Sequence, residues 1–298
     1  MTLQSNPRVP YELQHQRKRL APMPGKPLMV HVAVNVEYWP FDQPMPRAVM
    51  PAPHGQSAVP DVGNYAWVEY GMRVGLSRLL RILGERNIKA SALMNGICAD
   101  VYPQAADEML KAEWEFVGHC WLQRSLLREP DETEVIVKTL DRLKALSGKP
   151  VRGWLGAGIG ETFDTPDVLK AHGIDWLSDF FFDDLPCWMR TKHGPMIAMP
   201  YTVELNDVPI WAVQNQSSDE MYKRAVSTVE CFEKEMAQNP KVLTLALHPH
   251  LIGVPHRIGY FEKILDMLLA RPDTVFVTGS QIADWFVKAD GTNGAAVA

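Results

Sequence analysis

The chain has 298 residues, 46% apolar and 22% charged, enough for a sizeable core in one large or two small domains. Its net charge of -5, with no basic stripe and no interleaved aromatic run, argues against a polyanion-binding protein, so no nucleic-acid partner is expected. Cys98, Cys120, Cys187 and Cys231 form no CxxC pair, which excludes a disulfide framework or a cysteine zinc site, and no apolar run approaches the ~18 residues of a membrane span, so a cytoplasmic protein without membrane association is expected.

Residues 1–27 are polar, basic and proline-marked, and lack the apolar stretch of a secretory signal. They read as an arm packed on the body or on a neighbouring subunit, or as a disordered tail. Leu28–Val36 is nearly all apolar with four valines, the pattern of a strand buried on both faces. Residues 38–66 hold six prolines plus Gly55 and Gly63, and so predict a long loop; Tyr38, Trp39, Phe41 and Tyr65 predict that it is ordered over something.

From Val68 the apolar residues recur three and four apart, the period of an amphipathic helix. Strands follow at 91–94 and 114–117 around a helix at 103–112, then a helix at 132–146 that stops before Gly148 and Pro150. Residues 152–155 read as a strand, and the Gly156–Gly160 turn after it lacks the lysine ending and the spacing of a phosphate loop. No organic cofactor is expected. A helix at 165–171 and a strand at 175–177 precede an irregular segment, 179–211, with short strands near 196–200 and 208–212. Helices at 219–236, 258–270 and 280–286 then alternate with strands at 241–247 and 274–277. Alternation without a linker predicts one α/β domain over 28–290 with a parallel sheet, open or closed as a barrel, and a flexible tail at 291–298.

Three strand ends carry groups suited to chemistry. Glu37 follows the first strand, His119 follows Gly118, and His248 and His250 follow the late strand in Leu247-His-Pro-His. A glycine at a strand end lets the chain turn sharply, and an imidazole beyond it can bind a metal or move protons near neutral pH. Any one of these residues alone would be explained as a surface carboxylate or a structural histidine; acid, imidazole and imidazole at three strand ends point to one pocket. Asp179 directly follows a strand, in position to orient a histidine or arginine. Cys120 beside His119 is the one cysteine with an activating neighbour.

In order and spacing these motifs resemble the polysaccharide deacetylase superfamily over residues 28–286. Its Asp-Asp pair corresponds to Asn35-Val-Glu37 and its His-(Ser/Thr)-x-x-His to His119-Cys-Trp-Leu-Gln123. Its arginine turn corresponds to Arg152-Gly-Trp and its late Leu-x-x-His to Leu245-Ala-Leu-His248. Asn35 and Gln123 depart from the family's base aspartate and second metal histidine. Gly118-His-Cys-Trp, Ser178-Asp and the Leu247–Arg257 run look instead like the allantoinase and cyclic imide hydrolase branch.

The resemblance implies a distorted (β/α) barrel of the NodB-like type and a hydrolase that opens a small cyclic imide or ureide at a C–N bond. N-deacetylation of a sugar or other open-chain amide is the alternative. Glu37 would position or deprotonate water, His119 would bind metal or donate a hydrogen bond, and His248 would protonate the leaving nitrogen. Trp39, Trp121 and Trp154 would wall the ring, with Asp179 and His250 beside it, unless the tryptophans are ordinary core. One divalent metal such as zinc, on Glu37 and His119, would need Gln123, Cys120 or His250 to complete its ligands. The partners expected are the small substrate and further copies of this chain in a dimer or tetramer.

Overall fold

A computed structural model describes residues 4–52, 55 and 58–297. Its central strand is β1 (Leu28–Val36), buried at every position. Alternation along an extended chain sends successive side chains to opposite faces. Val30, Val32, Val34 and Val36 therefore join the layer between sheet and helices, while Met29 and Ala33 join a second layer inside the curl of the sheet. His31, Asn35 and, just beyond the strand, Glu37 share the parity of that inner face.

The strands that follow are β2 (Ser91–Met94), β3 (Glu115–Gly118), β4 (Gly153–Trp154), β5 (Trp176–Leu177), β6 (Cys187–Met189), β7 (Met196–Ala198), β8 (Lys241–Leu247) and β9 (Thr274–Phe276). They lie in the order β6-β7-β5-β4-β3-β2-β1-β8, with β9 beside the first residues of β1. Only the β6–β7 pairing is antiparallel. Parallel neighbours need helical crossovers. These come from α1 (Val62–Tyr70), α2 (Leu76–Glu85), α3 (Cys98–Val101), α4 (Pro103–Lys111), α5 (Glu132–Ser147), α6 (Thr165–Ala171), α7 (Glu220–Glu235) and α8 (Pro255–Leu269), while α9 (Gly279–Asp290) follows the last strand. The result is a curled, mostly parallel half-barrel, the α/β fold expected from the alternation.

The arm packs on the body of its own chain. Arg8 pairs with Asp167 at 2.9 Å, Arg17 with Asp183 at 2.8 Å, and Leu20 is buried in the inner layer. At the other end Val297 is buried and Gly294 lies against Pro195, so residues 291–297 fold back on the body where a free tail was expected. The strand expected at 208–212 is instead a π-helical turn, Val208–Val213, because Pro209 near its start has no N–H to give a ladder. Pro255 opens α8 three residues before the expected start, a position where the missing N–H costs nothing. No helix among the described residues is long and apolar enough to cross a membrane.

Candidate active site

Glu37, His119 and His248 stand at the carboxyl ends of β1, β3 and β8, where a parallel sheet presents functional groups. All three are buried, and all three line a cavity of about 590 Å³. The loop after β1 roofs it with Pro40, Gln43 and Arg47, while Leu155 and Gly156 form a side wall. Residues 53, 54, 56 and 57 of that loop lie outside the described residues.

Local packing explains how each group is aimed. The helical run from α1 to α2 passes through a π-helical turn, Gly71–Gly75. A Cβ on Gly71 would meet the His250 backbone at 2.4 Å, and one on Gly75 the Pro249 carbonyl at 2.0 Å. The helix thus presses directly on His248-Pro249-His250. Gly118 serves close approach rather than the turn expected of it: a Cβ there would meet the Trp154 ring at 2.3 Å. The turn is made by Cys120, which sits at φ 60°. Its thiol is buried and pushed up to about 12 by burial, which removes it as a nucleophile.

Glu37 is fixed through both oxygens. Trp39 donates its indole N–H to Oε2 at 2.9 Å, while Oε1 faces His119 Nε2 at 3.6 Å and His248 Nε2 at 3.3 Å. Burial opposes its charge, but the positive His248 beside it outweighs burial and holds the carboxyl well below its usual range. His248 donates from Nδ1 to Asp207 Oδ1 at 2.6 Å, and its backbone N–H donates to Asp207 Oδ2 at 2.6 Å. Burial disfavours the imidazolium, yet Asp207 and Glu37 overcome it and raise His248 to about 10. His250, enclosed by Trp39 and Trp67, is lowered to about 3, chiefly by burial and then by the charge on His248.

His119 Nδ1 donates to the Leu155 carbonyl at 2.7 Å. In the neutral ring that bond leaves a lone pair on Nε2, which is buried, has no hydrogen-bond partner and is aimed at Glu37 Oε1. Asn95 braces this corner, donating to the His119 carbonyl and, at 3.3 Å, to Gln123 Oε1, while accepting from Tyr38 N at 2.9 Å.

The other expected residues divide. Trp39 and His250 line the cavity; Trp121, Trp154 and Asp179 do not. Trp121 is turned outward under Lys138, whose ammonium lies 4.0 Å from its ring centre. Trp154 is fully buried against Gly118. Asp179 makes no hydrogen bond or ion pair with a histidine or arginine among the described residues: its carboxylate accepts the Gly156 N–H at 2.8 and 3.0 Å, which steadies the cavity wall from behind. Its neighbour Glu161 is raised to about 10 by burial and by the charge of Asp179. Asp207, Tyr201 and Asn206, which belong to the site, come from the segment read as irregular, although Tyr201 directly follows the short strand expected near 196–200 and Asp207 precedes the one expected near 208–212.

The donor set does not match the metal triad that the resemblance implied. Glu37 and His119 meet, but the third position is Gln123, an amide engaged by Asn95, and His248 is held as a cation between two carboxylates. Among the described residues no group of three or more His, Cys, Asp or Glu is disposed to hold a metal ion.

No family model matches the chain. A Schizosaccharomyces pombe protein that carries the name polysaccharide deacetylase is 25% identical over 240 residues, 74% of this chain and 75% of its own length. The crystal structure of a probable polysaccharide deacetylase from Pseudomonas aeruginosa PAO1 superposes with a TM-score of 0.79 at 22% identity, covering 89% of this chain and 92% of that one. That of PuuE allantoinase gives 0.78 at 20% identity, covering 93% and 98%. The fold is the NodB-like half-barrel of these neighbours, and over 240 residues the sequence is similar to a protein named as a polysaccharide deacetylase.

Proposed function

We propose that this protein is a deacetylase-like hydrolase that cleaves an amide-type C–N bond of a small substrate with side-chain acid–base groups. One observation carries the reading: His119 Nε2 and Glu37 Oε1 face each other at 3.6 Å, with His248 Nε2 3.3 Å from the same carboxylate oxygen, all on one cavity. A water on the cavity side of the pair, rather than between them, gives one hydrogen to Glu37 and, with the His119 ring neutral, one to its Nε2. His119 then takes a proton as the water oxygen attacks the carbonyl carbon. His248 delivers its proton to the leaving nitrogen as the C–N bond breaks. An imidazolium near pH 10 holds its proton through neutrality and yields it to the more basic nitrogen formed in that step. Glu37, which touches both imidazoles, returns the proton from His119 to His248. The net change is addition of water across the C–N bond.

Two substrate classes fit this chemistry. The names of the similar proteins favour N-deacetylation of an open-chain amide, since the Schizosaccharomyces pombe relative and the Pseudomonas aeruginosa neighbour are both named as deacetylases. A bounded cavity of about 590 Å³ and the absence of the family's metal triad favour a small imide or ureide ring, whose better leaving group needs less activation, and PuuE allantoinase is a neighbour on that side.

Turnover of succinimide, maleimide, hydantoin, dihydrouracil and allantoin, followed in the ultraviolet beside acetate release from N-acetylated sugars, separates the two. Ring opening without acetate release assigns the imide or ureide class, and acetate release the open-chain amide class. Chelator-treated protein of verified metal content is expected to keep its turnover. Loss on chelation with recovery on adding zinc would overturn the side-chain mechanism.

A further inference from the structure

Tyr201 lines the same cavity, and its hydroxyl occupies an unusual position. Asn35 Nδ2 donates to it at 3.2 Å and Asn206 Nδ2 at 3.3 Å. Neither amide can be turned round without loss. Asn35 Nδ2 also donates to the Leu247 carbonyl at 3.2 Å, and Asn206 Oδ1 accepts the Val208 N–H at 2.9 Å. Both groups facing the phenol oxygen are therefore donors, and neither can receive its proton. No other described group receives it either.

The backbone is equally fixed. Thr244 of β8 donates its hydroxyl to the Pro200 carbonyl at 2.9 Å and its N–H to Thr202 Oγ1 at 3.1 Å, clamping the chain on both sides of Tyr201. Each anchor of the phenol also adjoins the proposed machinery: Asn35 lies two residues before Glu37, Leu247 one before His248, and Asn206 one before Asp207.

We propose that Tyr201 is a catalytic residue that donates its hydroxyl hydrogen to the substrate carbonyl oxygen and to the oxyanion that replaces it. This rests on the hydrolytic reading above. Two inward amide dipoles polarise the phenol and leave it one direction in which to give its hydrogen, so the donor is set before substrate arrives. It also gives a reason for asparagine at position 35. A carboxylate there would accept the phenol hydrogen and withdraw it from the cavity.

The test compares wild type with Tyr201→Phe and Asn35→Asp. Loss of one oxyanion donor lowers kcat by about 10²-fold, and KM should stay within about threefold. Asn35→Asp should lower kcat in the same direction. Far-UV circular dichroism and the thermal midpoint of each variant verify the fold. A Tyr201→Phe enzyme within twofold of wild-type kcat would overturn the proposal, as would an Asn35→Asp enzyme faster than wild type.

A second readout needs no turnover. Calorimetry with acetate and succinamate, carboxylate products of the two substrate classes, should show weaker binding to Tyr201→Phe than to wild type, and equal binding would overturn the donor role. A wild type inactive on every amide and imide, with product affinity still dependent on Tyr201, would defeat the proposed function and leave the donor standing.

Discussion

Two histidines on the inner side of the sheet, His31 in the middle of β1 and His248 just past β8, are both buried yet take opposite protonation states. His31 Nε2 bonds the Ser91 hydroxyl at 2.8 Å, its ring meets Trp176 edge-on, and burial lowers it to about 4. His248 is buried to a similar degree, but Asp207 at 2.6 Å and Glu37 at 3.3 Å raise it to about 10. Burial alone makes an imidazole a neutral spacer in the core; burial with two carboxylates makes it a stored proton. His31 is linked to an acid only through a hydroxyl, since Ser91 Oγ in turn donates to Glu115 Oε2 at 2.8 Å. That intervening hydroxyl separates a structural histidine from one equipped for chemistry.

The sharpest way to break the contrast is to remove an acceptor at the upper site. His119→Ala and Glu37→Ala should each lower kcat on the order of 10³-fold, within the range that a general base supplies, and circular dichroism should report an unchanged fold. Near wild-type turnover in either variant would show that the site lies elsewhere. A subtler change converts His248 towards the state of His31. Asp207→Asn removes one of its two charges, and kcat should fall by up to about 10²-fold, as for other histidine-orienting carboxylates. Activity requires protonated His248, so the wild-type profile should lose its alkaline limb only near pH 10, the value to which His248 is raised. In Asp207→Asn that limb should move to lower pH. A pH–rate profile that did not move would remove Asp207 from the mechanism.

The fold was legible because its signals are local. The all-apolar Leu28–Val36 run has the signature of a strand covered on both faces, and helices such as Glu132–Ser147 are framed by an Asp131 cap and a glycine stop. Three site residues were legible for the same reason, since a charged or imidazole side chain directly after an apolar strand has no packing role to explain it. Asp207 and Tyr201 were harder to read. Both lie between β7 and the π-helical turn at Val208–Val213, where Asn206 and Ala246 form only an isolated bridge, and their roles arise from partners up to 166 residues away. Trp121 and Trp154 show the opposite error. Adjacency to a motif did not settle which way each ring faces, and both are spent on packing, Trp154 against the glycine that the motif itself supplies.

The smallest effect on catalysis, and the cleanest test of the comparison, concerns pH and stability. A group whose pKa is lowered in the fold gives stability that is present above its unfolded value and lost as pH falls through its folded value; a raised group gives stability present below its unfolded value and lost as pH rises. His31 therefore makes stability fall between pH 6.5 and about 4, and His248 makes it fall between 6.5 and about 10. The two slopes oppose each other and meet near pH 6.5. His31→Gln should reduce the acid slope by an amount on the order of 3 kcal/mol over that window, without abolishing it, because His250 at about 3 acts in the same sense. The alkaline slope and, within twofold, kcat should be unchanged, since His31 lies outside the cavity lining. Urea midpoints measured from pH 4 to 10 in wild type, His31→Gln and Asp207→Asn provide the check. The first variant should flatten the acid side alone, and the second should flatten the alkaline side, with a smaller acid-side change because the buried Asp207 carboxyl is itself raised. A His31→Gln variant that flattened both sides would mean that the two histidines titrate as one network, and the division between spacer and stored proton would fail.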